Sequence, residues 1–381
     1  MRICLLGLDN LPLLAPEYPA RTIGGESVQQ VLLGRAFAQR GHEVHMVVAD
    51  VGQPDGWVQD GIRLWKAYRF DAGLPVVRFV HPRWTSVWAA LARADCDVYY
   101  TSCAGMHVGL LAFFCQSRGK PFVYRVASDA ECEPRLTRIR LARDRWLYRY
   151  GRSHAHTVLV QSVEQARALE LNSGLQGRVA SMLVEKPDRP PEARDIDVLW
   201  IANLLEVKRP DRIIELARAM PKKRFHIAGG KLACSAELYE TTKRAAAALP
   251  NVTFHGYLPY KQANALYRRA RVFVNTSDLE GFPNAYLQAW ASGTPVVTAI
   301  DPDNVIRRER LGTWIVDWRR LPEAVSALLD DPAKLEATSA RCRDYIEREY
   351  GDDMILAPYL EVLETARASG TRPVTALSSL S

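Results

Sequence analysis

The chain has 381 residues, of which 48% are hydrophobic and 24% charged, and its formal net charge is +7. That is enough apolar material for two hydrophobic cores, so we expect two domains. The seven cysteines are scattered, odd in number and without Cys-x-x-Cys spacing, which argues against a zinc site and favours reduced thiols in the cytoplasm. The apolar stretches Met1–Leu8 and Val108–Phe114 are too short for a signal peptide and for a membrane span, so we expect a cytoplasmic protein.

Apolar strands alternate with amphipathic helices in both halves, a pattern typical of parallel sheets covered by helices on both faces. The predicted strands are Arg2–Leu8, Glu43–Val48, Asp97–Tyr100, Phe122–Val126 and Thr157–Gln161, followed by Asp197–Ile201, Arg224–Ala228, Val252–Phe254, Val272–Asn275, Pro295–Thr298 and Trp314–Val316. The proline and charge content of residues 185–194 predicts an exposed linker. The sequence therefore predicts two doubly wound, Rossmann-like α/β domains, with ligands bound in a cleft between them at the carboxyl ends of the strands.

A diglycine, Gly24 and Gly25, follows the first strand and precedes an amphipathic helix and the segment Arg40–Val44. Glycine lets backbone amides approach a ligand closely, and the start of a helix attracts anions. A diglycine by itself is usually only a turn. Its position after the first strand favours a ligand contact.

Asp129 follows the predicted strand Phe122–Val126 at its carboxyl end, where site residues belong in a parallel sheet. A carboxylate there can orient an acceptor hydroxyl or take its proton as a general base, so Asp129 is a catalytic candidate. Helix capping is an equally good explanation of this residue.

The segment Arg135–Arg152 combines helical periodicity with arginines and aromatic residues. It is typical of a helix that lies on an anionic membrane surface. A solvated helix face with contacts between arginine and aspartate is the alternative. No nucleic-acid-binding module accompanies the segment, so we expect no nucleic-acid partner.

In the second half, the pattern of Asp278–Val297 predicts a loop and a helix that together bind an anion. Pro283 suits the first position of a helix, whose amides and positive dipole end would face the loop. Glu280 offers an acceptor for sugar hydroxyls beside it. Lys208 precedes another helix, where a cation is disfavoured by the dipole, so a role in phosphate binding is favoured over a solvated one.

Three of these segments resemble those of one family. Glu280–Pro283, Gln288 and Ala291–Val297 resemble the donor-site signature of the family four (group 1) retaining glycosyltransferases of bacterial type, which have the GT-B fold. The diglycine loop and Trp200–Pro210 match two further segments, so the resemblance covers nearly the whole chain.

The resemblance implies a role for each matching residue. Glu280 would address the transferred sugar. Gln288 would take the ribose hydroxyls, where the family usually has a second acidic residue. Lys208 would hold the pyrophosphate, while Asn203 stands where the family has an arginine, and Ala127 where many members have a histidine. The implied donor-binding residues are Gly24, Gly25, Asn203, Lys208, Arg209, Tyr257, Leu258, Glu280, Gly281, Phe282, Pro283, Asn284, Ala285 and Gln288.

The implied reaction is retaining transfer of a sugar from a nucleoside-diphosphate sugar to a lipid-linked saccharide or polysaccharide precursor. By analogy with the family, the leaving diphosphate takes the acceptor proton, so no cofactor, metal or covalent nucleophile is expected. Glu280, Lys208 and Asp129 are the catalytic candidates. The alternatives are a sugar-nucleotide epimerase or hydrolase of the same fold, and a non-catalytic sugar-nucleotide-binding scaffold. The neutral residues Asn203, Ala127 and Gln288 motivate the scaffold.

The family's organisation also implies domain limits. We expect an acceptor-side domain over 1–184, the linker over 185–194 and a nucleotide-sugar domain over 195–352. A helix over 353–368 would cross back to the first domain, and the polar tail 369–381 is predicted to be disordered.

Overall fold

The computed structural model describes residues 1–18, 23–75, 77–136, 139–187 and 193–370. The chain forms two compact units. Unit 1 comprises Met1–Leu183 and the chain from Asp352 onwards, and unit 2 comprises Val184–Gly351. Most of the predicted disordered tail, and residues 188–192 of the predicted linker, lie outside the described residues.

Unit 1 contains an eight-stranded sheet with the order β3-β4-β2-β1-β5-β6-β7-β8. All neighbouring strands are parallel except β3 and β4. The strands are β1 Arg2–Leu6, β2 Glu43–Val48, β3 Val58–Gln59, β4 Ile62–Lys66, β5 Val98–Ser102, β6 Phe122–Arg125, β7 Thr157–Val160 and β8 Gly177–Val179. The helices are α1 Leu11–Leu14, α2 Gly25–Gln39, α3 Thr85–Ala94, α4 Met106–Arg118, α5 Ala142–His154 and α6 Val163–Ser173.

Unit 2 contains a six-stranded parallel sheet with the order β11-β10-β9-β12-β13-β14. The strands are β9 Ile196–Ile201, β10 Phe225–Ala228, β11 Val252–Gly256, β12 Ala270–Asn275, β13 Val296–Thr298 and β14 Gly312–Trp314. The helices are α7 Pro210–Ala219, α8 Ala236–Ala247, α9 Tyr260–Arg269, α10 Asn284–Ala291, α11 Val305–Glu309, α12 Leu321–Leu329 and α13 Pro332–Glu349. The last helix, α14 Asp352–Ser369, belongs to unit 1.

Both sheets are doubly wound, which confirms the predicted fold class. In unit 2 the strand order is that of the Rossmann fold, with β9 and β12 adjacent at the point where the winding reverses. In unit 1, β1 and β5 are adjacent at the equivalent point. Side chains on these central strands are buried on both faces of the sheet, which explains why their sequences are continuous apolar runs.

The sequence prediction missed three short strands at the edges of the sheet in unit 1. β4 is alternately buried and exposed over Ile62–Leu64, so it lacks the continuous apolar run of the central strands. β3 has only two residues, and two of the three residues of β8 are exposed. Edge strands bury one face or none, and their composition therefore carries a weaker signal.

Helices α4 and α5 pack through two glycines. A Cβ at Gly109 would lie 2.4 Å from the carbonyl oxygen of Leu147, and a Cβ at Gly151 would lie 2.4 Å from the carbonyl carbon of Val108. Both contacts are with backbone, which cannot rotate away. Glycine therefore sets the short separation of the two helices.

We expect Gly151→Ala to lower the free energy of unfolding by roughly 1–3 kcal/mol, because the added methyl forces the two helix backbones apart. Urea unfolding followed by circular dichroism measures this change in the free energy of unfolding. The matched control is Gly351→Ala, where an added Cβ meets no atom within 4 Å. Equal stability of the Gly151 variant and the wild type would contradict the packing argument.

Candidate functional site

The central feature of unit 2 is an ion pair between Lys208 and Glu280. Lys208 ends a one-turn 3₁₀ helix after β9, and Glu280 lies in the loop after β12. Because β9 and β12 are adjacent, the loops at their carboxyl ends meet. Lys208 Nζ donates to both carboxylate oxygens of Glu280 at 2.6 Å. The two side chains are 22% and 13% exposed, so the pair is accessible at one side only.

Two further side chains fix the carboxylate of Glu280. Ser277 Oγ donates to Glu280 Oε1 at 2.6 Å, and Asn275 Nδ2 donates to the same oxygen at 3.3 Å. The side-chain oxygen of Asn275 in turn accepts from the Ser277 amide at 2.8 Å. The carboxylate therefore keeps two neutral donors when Lys208 turns to another partner.

Arg209, the second predicted cation, is held by acidic neighbours. Its guanidinium donates to Asp211 at 2.6 Å and to Asp278 at 3.4 Å, and the hydrogen bond that Asp211 accepts raises the pKa of Arg209. Arg212 donates to Asp278 at 2.7 Å and to the carbonyl oxygen of Thr276 at 2.8 Å. A phosphate would have to compete with these carboxylates for Arg209, whereas Glu280 is the one acidic partner of Lys208 among the residues that the structure describes.

A glycine pair not singled out in the sequence, Gly229 and Gly230, follows β10. A Cβ at Gly229 would lie 2.1 Å from the Ala202 carbonyl oxygen, so only glycine fits. A Cβ at Gly230 would lie 3.4 Å from the ring of Tyr257 and 3.6 Å from Asn203 Oδ1. The structure thus brings Asn203 and Tyr257, both predicted donor-binding residues, to the two sides of Gly230 at the carboxyl edge of the sheet.

The predicted anion-binding helix is α10. Pro283 occupies its N-cap position with no side-chain cap, and Asn284 and Ala285 form the first turn. The first amides of a helix point to the preceding loop, which here carries Glu280. The buried hydroxyl of Tyr286 anchors the helix, because it donates to the Ile300 carbonyl oxygen at 3.0 Å and lies 2.9 Å from Thr298 Oγ1.

The remaining predicted donor-binding residues of unit 2 lie close to these elements. Gln288 is partly buried one helical turn after Asn284. Gly281 and Phe282 lie in the loop before α10, and the Phe282 ring is 6.3 Å from the ring of Trp290. Leu258 follows Tyr257 after β11 and is partly buried.

In unit 1 the diglycine lies at the start of α2. Gly24 is the N-cap residue, with an extended backbone, and Gly25 is the first helical residue. The next residue, Glu26, accepts from Arg125 at 2.7 Å and from Gln161 at 3.0 Å. Arg125 ends β6 and Gln161 follows β7, so this carboxylate ties the diglycine turn to the carboxyl edge of the sheet.

The ion pair of Glu26 with Arg125 is buried, and the sequence analysis did not predict it. Arg125 is fully buried and Glu26 is 9% exposed. Burial by itself would lower the pKa of Arg125, but the attraction of Glu26 outweighs it and the pKa is raised. An arginine at the end of the apolar run Phe122–Val126 was the one available signal, because a buried arginine needs an acidic partner.

Asp129, the predicted general base, is the first residue of a 3₁₀ helix, Asp129–Glu131. Ser128 occupies the N-cap position, so Asp129 does not cap the helix as the alternative interpretation proposed. Its Oδ1 accepts from the side-chain amide of Gln165 at 2.9 Å, and the residue is partly buried. Gln165 therefore orients the carboxylate at the sheet edge.

A second carboxyl group, Glu131, lies behind Asp129 and was missed in the sequence. It accepts from the Ala127 amide at 3.2 Å and from the hydroxyl of Tyr124. Burial, against the lowering effect of the Tyr124 hydrogen bond, raises the pKa of Glu131 to about 7. The amide that it holds is that of Ala127, the position where the family resemblance leads one to expect a histidine.

The predicted membrane-surface segment differs in part from expectation. Its helix, α5, begins only at Ala142, and residues 137–138 lie outside the described residues. Arg152 is 7% exposed and donates to the Glu131 carbonyl oxygen at 2.8 Å, so the prediction that it faces a membrane is wrong. Leu141 and Trp146 are 56% and 57% exposed.

A second exposed apolar segment lies beside α5. Leu74, Val77 and Val80 are all more than half exposed. The guanidinium of Arg143, on α5, lies 3.4 Å from the ring centroid of Phe79 and joins the two segments. We call the exposed side chains of Leu74, Val77, Val80, Leu141 and Trp146 the apolar patch.

In the described part of the chain, no group of three or more histidine, cysteine, aspartate or glutamate side chains is placed to hold a metal ion. None of the described helices combines the length and the apolar character needed to cross a bilayer.

Comparison with known proteins shows similarity to glycosyltransferases in sequence and in fold. Residues 195–331 match the sequence model of the group 1 glycosyl transferases. The D-inositol 3-phosphate glycosyltransferase of Mycolicibacterium smegmatis is 29% identical over 187 residues, which span 46% of this chain and 42% of that relative.

Solved structures resemble nearly the whole chain. The sucrose-phosphate synthase of Thermosynechococcus elongatus has a TM-score of 0.76 at 18% identity and covers 97% of this chain and 99% of its own. Anabaena HepE, solved with UDP and glucose, has a TM-score of 0.75 at 14% identity and covers 96% and 100%. WaaG, a glycosyltransferase of lipopolysaccharide biosynthesis, has a TM-score of 0.67 at 15% identity and covers 94% and 98%. At these identities the likeness shows the shared fold.

Glu131 leads to a prediction about stability. Its pKa in the folded protein, about 7, exceeds the ordinary value of 4.5, so the folded state binds the proton more tightly. The resulting stabilisation is complete below about pH 4.5 and is lost as the pH rises through about 7. We expect Glu131→Gln to remove this part of the slope, which reaches at most about 1.4 kcal/mol per pH unit.

Urea unfolding between pH 5 and pH 8 measures the slope, with Glu170→Gln on the exposed face of α6 as the control. Tyr124, Tyr148 and Glu26 also act on Glu131, and none of them is changed in either variant. The same pH profile in wild type and Glu131→Gln would show that Glu131 is not the titrating group.

Proposed function

We propose that the chain is a retaining group 1 glycosyltransferase, a proposal supported by the match of residues 195–331 to the sequence model of that family. It moves a sugar from a nucleoside-diphosphate sugar to a lipid-linked saccharide or polysaccharide precursor. The observation that carries the proposal is the ion pair of Lys208 and Glu280 where the winding of the unit 2 sheet reverses. Ligands of doubly wound sheets bind at such points, and this pair offers one cation for phosphate and one carboxylate for sugar hydroxyls.

The first step of the proposal is an exchange of partners. In the free protein the ammonium of Lys208 has Glu280 as its partner. A diphosphate carries more charge than a carboxylate, so it draws Lys208 away and leaves Glu280 with Ser277 and Asn275. Glu280 then accepts from the hydroxyls of the donor sugar.

The second step is stabilisation of the departing diphosphate. Charge develops on the phosphate oxygens as the bond to the sugar breaks, and preorganised donors lower the energy of that transition state. Lys208 and the first amides of α10 are such donors, and the positive end of the helix dipole adds to them. The leaving diphosphate takes the acceptor proton, so the proposed reaction needs neither a metal nor a covalent nucleophile. Asp129, oriented by Gln165, is the proposed orienting group for the acceptor.

Neutral residues at Asn203, Ala127 and Gln288 favour a second candidate function, a non-catalytic protein that binds a sugar nucleotide. An epimerase or hydrolase of the same fold is the other alternative. Incubation of the purified protein with donor and acceptor distinguishes them. Transfer supports the proposal, donor consumption without transfer supports a hydrolase or epimerase, and binding without turnover supports the scaffold. A binding screen of nucleoside diphosphates, carried out before the activity assay, identifies the base of the donor nucleotide.

We also propose that unit 1 docks on an anionic membrane at the cytoplasmic face, where a lipid-linked acceptor lies. The apolar patch supplies side chains that can enter the interface, and Arg143, Arg145 and Arg149 on α5 supply positive charge beside it. Arg145 also donates to the Ile139 carbonyl oxygen at 2.8 Å, which holds the chain that enters α5.

The donor site is tested by comparing two substitutions. Lys208→Met should weaken nucleoside-diphosphate binding by roughly tenfold or more, because one charge-assisted contact is lost. Glu280→Gln should leave that affinity intact, since it only removes a competitor for Lys208, while it lowers kcat by roughly a hundredfold. Calorimetry and steady-state kinetics measure the two effects.

The control for charge is Lys222→Met, at an exposed position between α7 and β10. An unchanged dissociation constant for folded Lys208→Met would remove Lys208 from the site. Full transfer activity of Glu280→Gln would show that Glu280 does not contact the reacting sugar.

Membrane docking is tested by vesicle flotation. Leu141→Ala and Trp146→Ala should each weaken binding to phosphatidylglycerol vesicles by about tenfold, because burial of such a side chain contributes roughly 1.5–3 kcal/mol. The matched control is Leu171→Ala, on α6, which is 86% exposed and outside the patch. Equal loss in the control, or no flotation of the wild type at low salt, would exclude docking through the patch.

A further inference from the structure

Unit 1 has a cavity that the proposed reaction does not use. Its volume is about 240 Å³, and it lies at the amino ends of β6 and β7, between the last turns of α4 and α5. Glu26 and Asp129 lie at the opposite, carboxyl edge of the same parallel sheet. The cavity is therefore separate from the candidate site residues of unit 1.

The cavity is lined by basic and neutral donors. Lys120, His154, His156 and Gln116 contribute polar groups, and Phe122 is among the apolar lining residues. The lining residues that the structure describes include no aspartate or glutamate. The nearest acidic partner of Lys120 is Asp95, at 3.8 Å, and it is 67% exposed. Such a long, solvent-exposed pair is weak, so the charge of Lys120 remains available to a ligand.

His156 provides an independent sign that the cavity holds a ligand. The residue is 4% exposed, and its Nδ1 lies 3.1 Å from the hydroxyl oxygen of Thr157. Its buried Nε2 has no hydrogen-bond partner in the part of the chain that the structure describes. When Thr157 donates to Nδ1, Nε2 carries the proton and can donate. A buried donor without an acceptor is costly, and a ligand oxygen would supply one.

Two other lining side chains are held in place. The ring of His154 stacks on Tyr150 with centroids 4.0 Å apart, and its Nδ1 lies 2.7 Å from the Tyr150 carbonyl oxygen. The hydroxyl of Tyr150 donates to Gln116 Oε1 at 2.6 Å. That contact occupies the oxygen of the amide, so the amide nitrogen of Gln116 remains as a donor. The lining thus presents the donors of Gln116 and His156 and the cation of Lys120.

We propose that this cavity binds the phosphoryl group of a small phosphate monoester through Lys120 and His156. A lysine ammonium binds phosphate as a point charge, and several donors around it suit an anion with three terminal oxygens. The volume is below the roughly 300–1,000 Å³ of sites for drug-sized ligands, which limits the ligand to a few carbon atoms beside the phosphoryl group. The same chemistry occurs in a soluble monoester and in the headgroup of phosphatidic acid.

The test uses the full chain labelled with ¹³C in its histidines. Glycerol 3-phosphate is added without any nucleotide, and glycerol serves as the probe that lacks the phosphoryl group. We expect the signals of His154 and His156 to shift and to saturate by ~10 mM glycerol 3-phosphate, but not with glycerol. Because these two signals report only on the cavity, failure here leaves the donor site of unit 2 untouched.

Substitutions of the lining residues test whether Lys120 and His156 bind the phosphoryl group. Lys120→Met should weaken binding by roughly tenfold, and His156→Phe, which keeps a ring in the core, should have a similar effect. The matched control is Arg118→Met, which removes an exposed positive charge near the cavity without touching its lining. Lys120 is partly exposed, so its substitution does not threaten folding.

A second arm replaces glycerol 3-phosphate by vesicles of phosphatidylcholine with and without phosphatidic acid. Histidine shifts with the soluble monoester identify a soluble ligand. Flotation that requires phosphatidic acid and is lost in Lys120→Met, but not in Arg118→Met, identifies a lipid headgroup. Absence of both responses, or equal responses of Lys120→Met and Arg118→Met, would overturn the proposal.

Discussion

Strand order is the constraint on which the candidate donor site depends. In unit 2, β9 and β12 are neighbours although the loops that follow them are far apart in sequence, and their helices leave toward opposite faces of the sheet. The two loops meet at the carboxyl edge of the sheet, where the Asp278 amide donates to the Val207 carbonyl oxygen at 2.8 Å. Lys208 comes from one loop and Glu280 from the other, so their ion pair depends on the strand order and not on a local segment. The same order in unit 1 places the start of α2 beside Arg125 and Gln161.

Charged groups at both carboxyl edges are paired in the free protein. Lys208 has Glu280, Arg209 has Asp211, and the buried Arg125 has Glu26. An unpaired charge away from water is costly, so pairing keeps the free protein stable. The ion pairs differ in whether a ligand can replace one of the two partners. Arg125 is fully enclosed and serves to hold α2, whereas the pair of Lys208 and Glu280 is open at one side and can exchange partners.

The sequence was informative where the structure follows from a local pattern. The central strands are apolar runs buried on both faces, and they were predicted almost to the residue, whereas strands at or next to the edge of the unit 1 sheet, such as β4, were not. Glu280 and Lys208 were predicted as site residues because their flanking segments resemble those of the family, and their roles stay predictions. Glu26 and Glu131 were missed because their roles arise from contacts with Arg125 and with the Ala127 amide, which depend on tertiary packing. Periodicity carries no signal for such contacts.

The departures from the family pattern all lower the charge that the site residues can carry. Asn203, Ala127 and Gln288 each place a neutral side chain where the resemblance leads one to expect a charged or titratable one. Arg209, the cation nearest to Lys208 in sequence, is held by Asp211 and Asp278. A diphosphate at this site would therefore meet one available lysine, neutral donors and the dipole of α10. Hydrogen bonds from neutral donors to a diphosphate are weaker than those from cations, so the proposed site gives up ground-state affinity while it keeps Lys208 for the charge of the transition state.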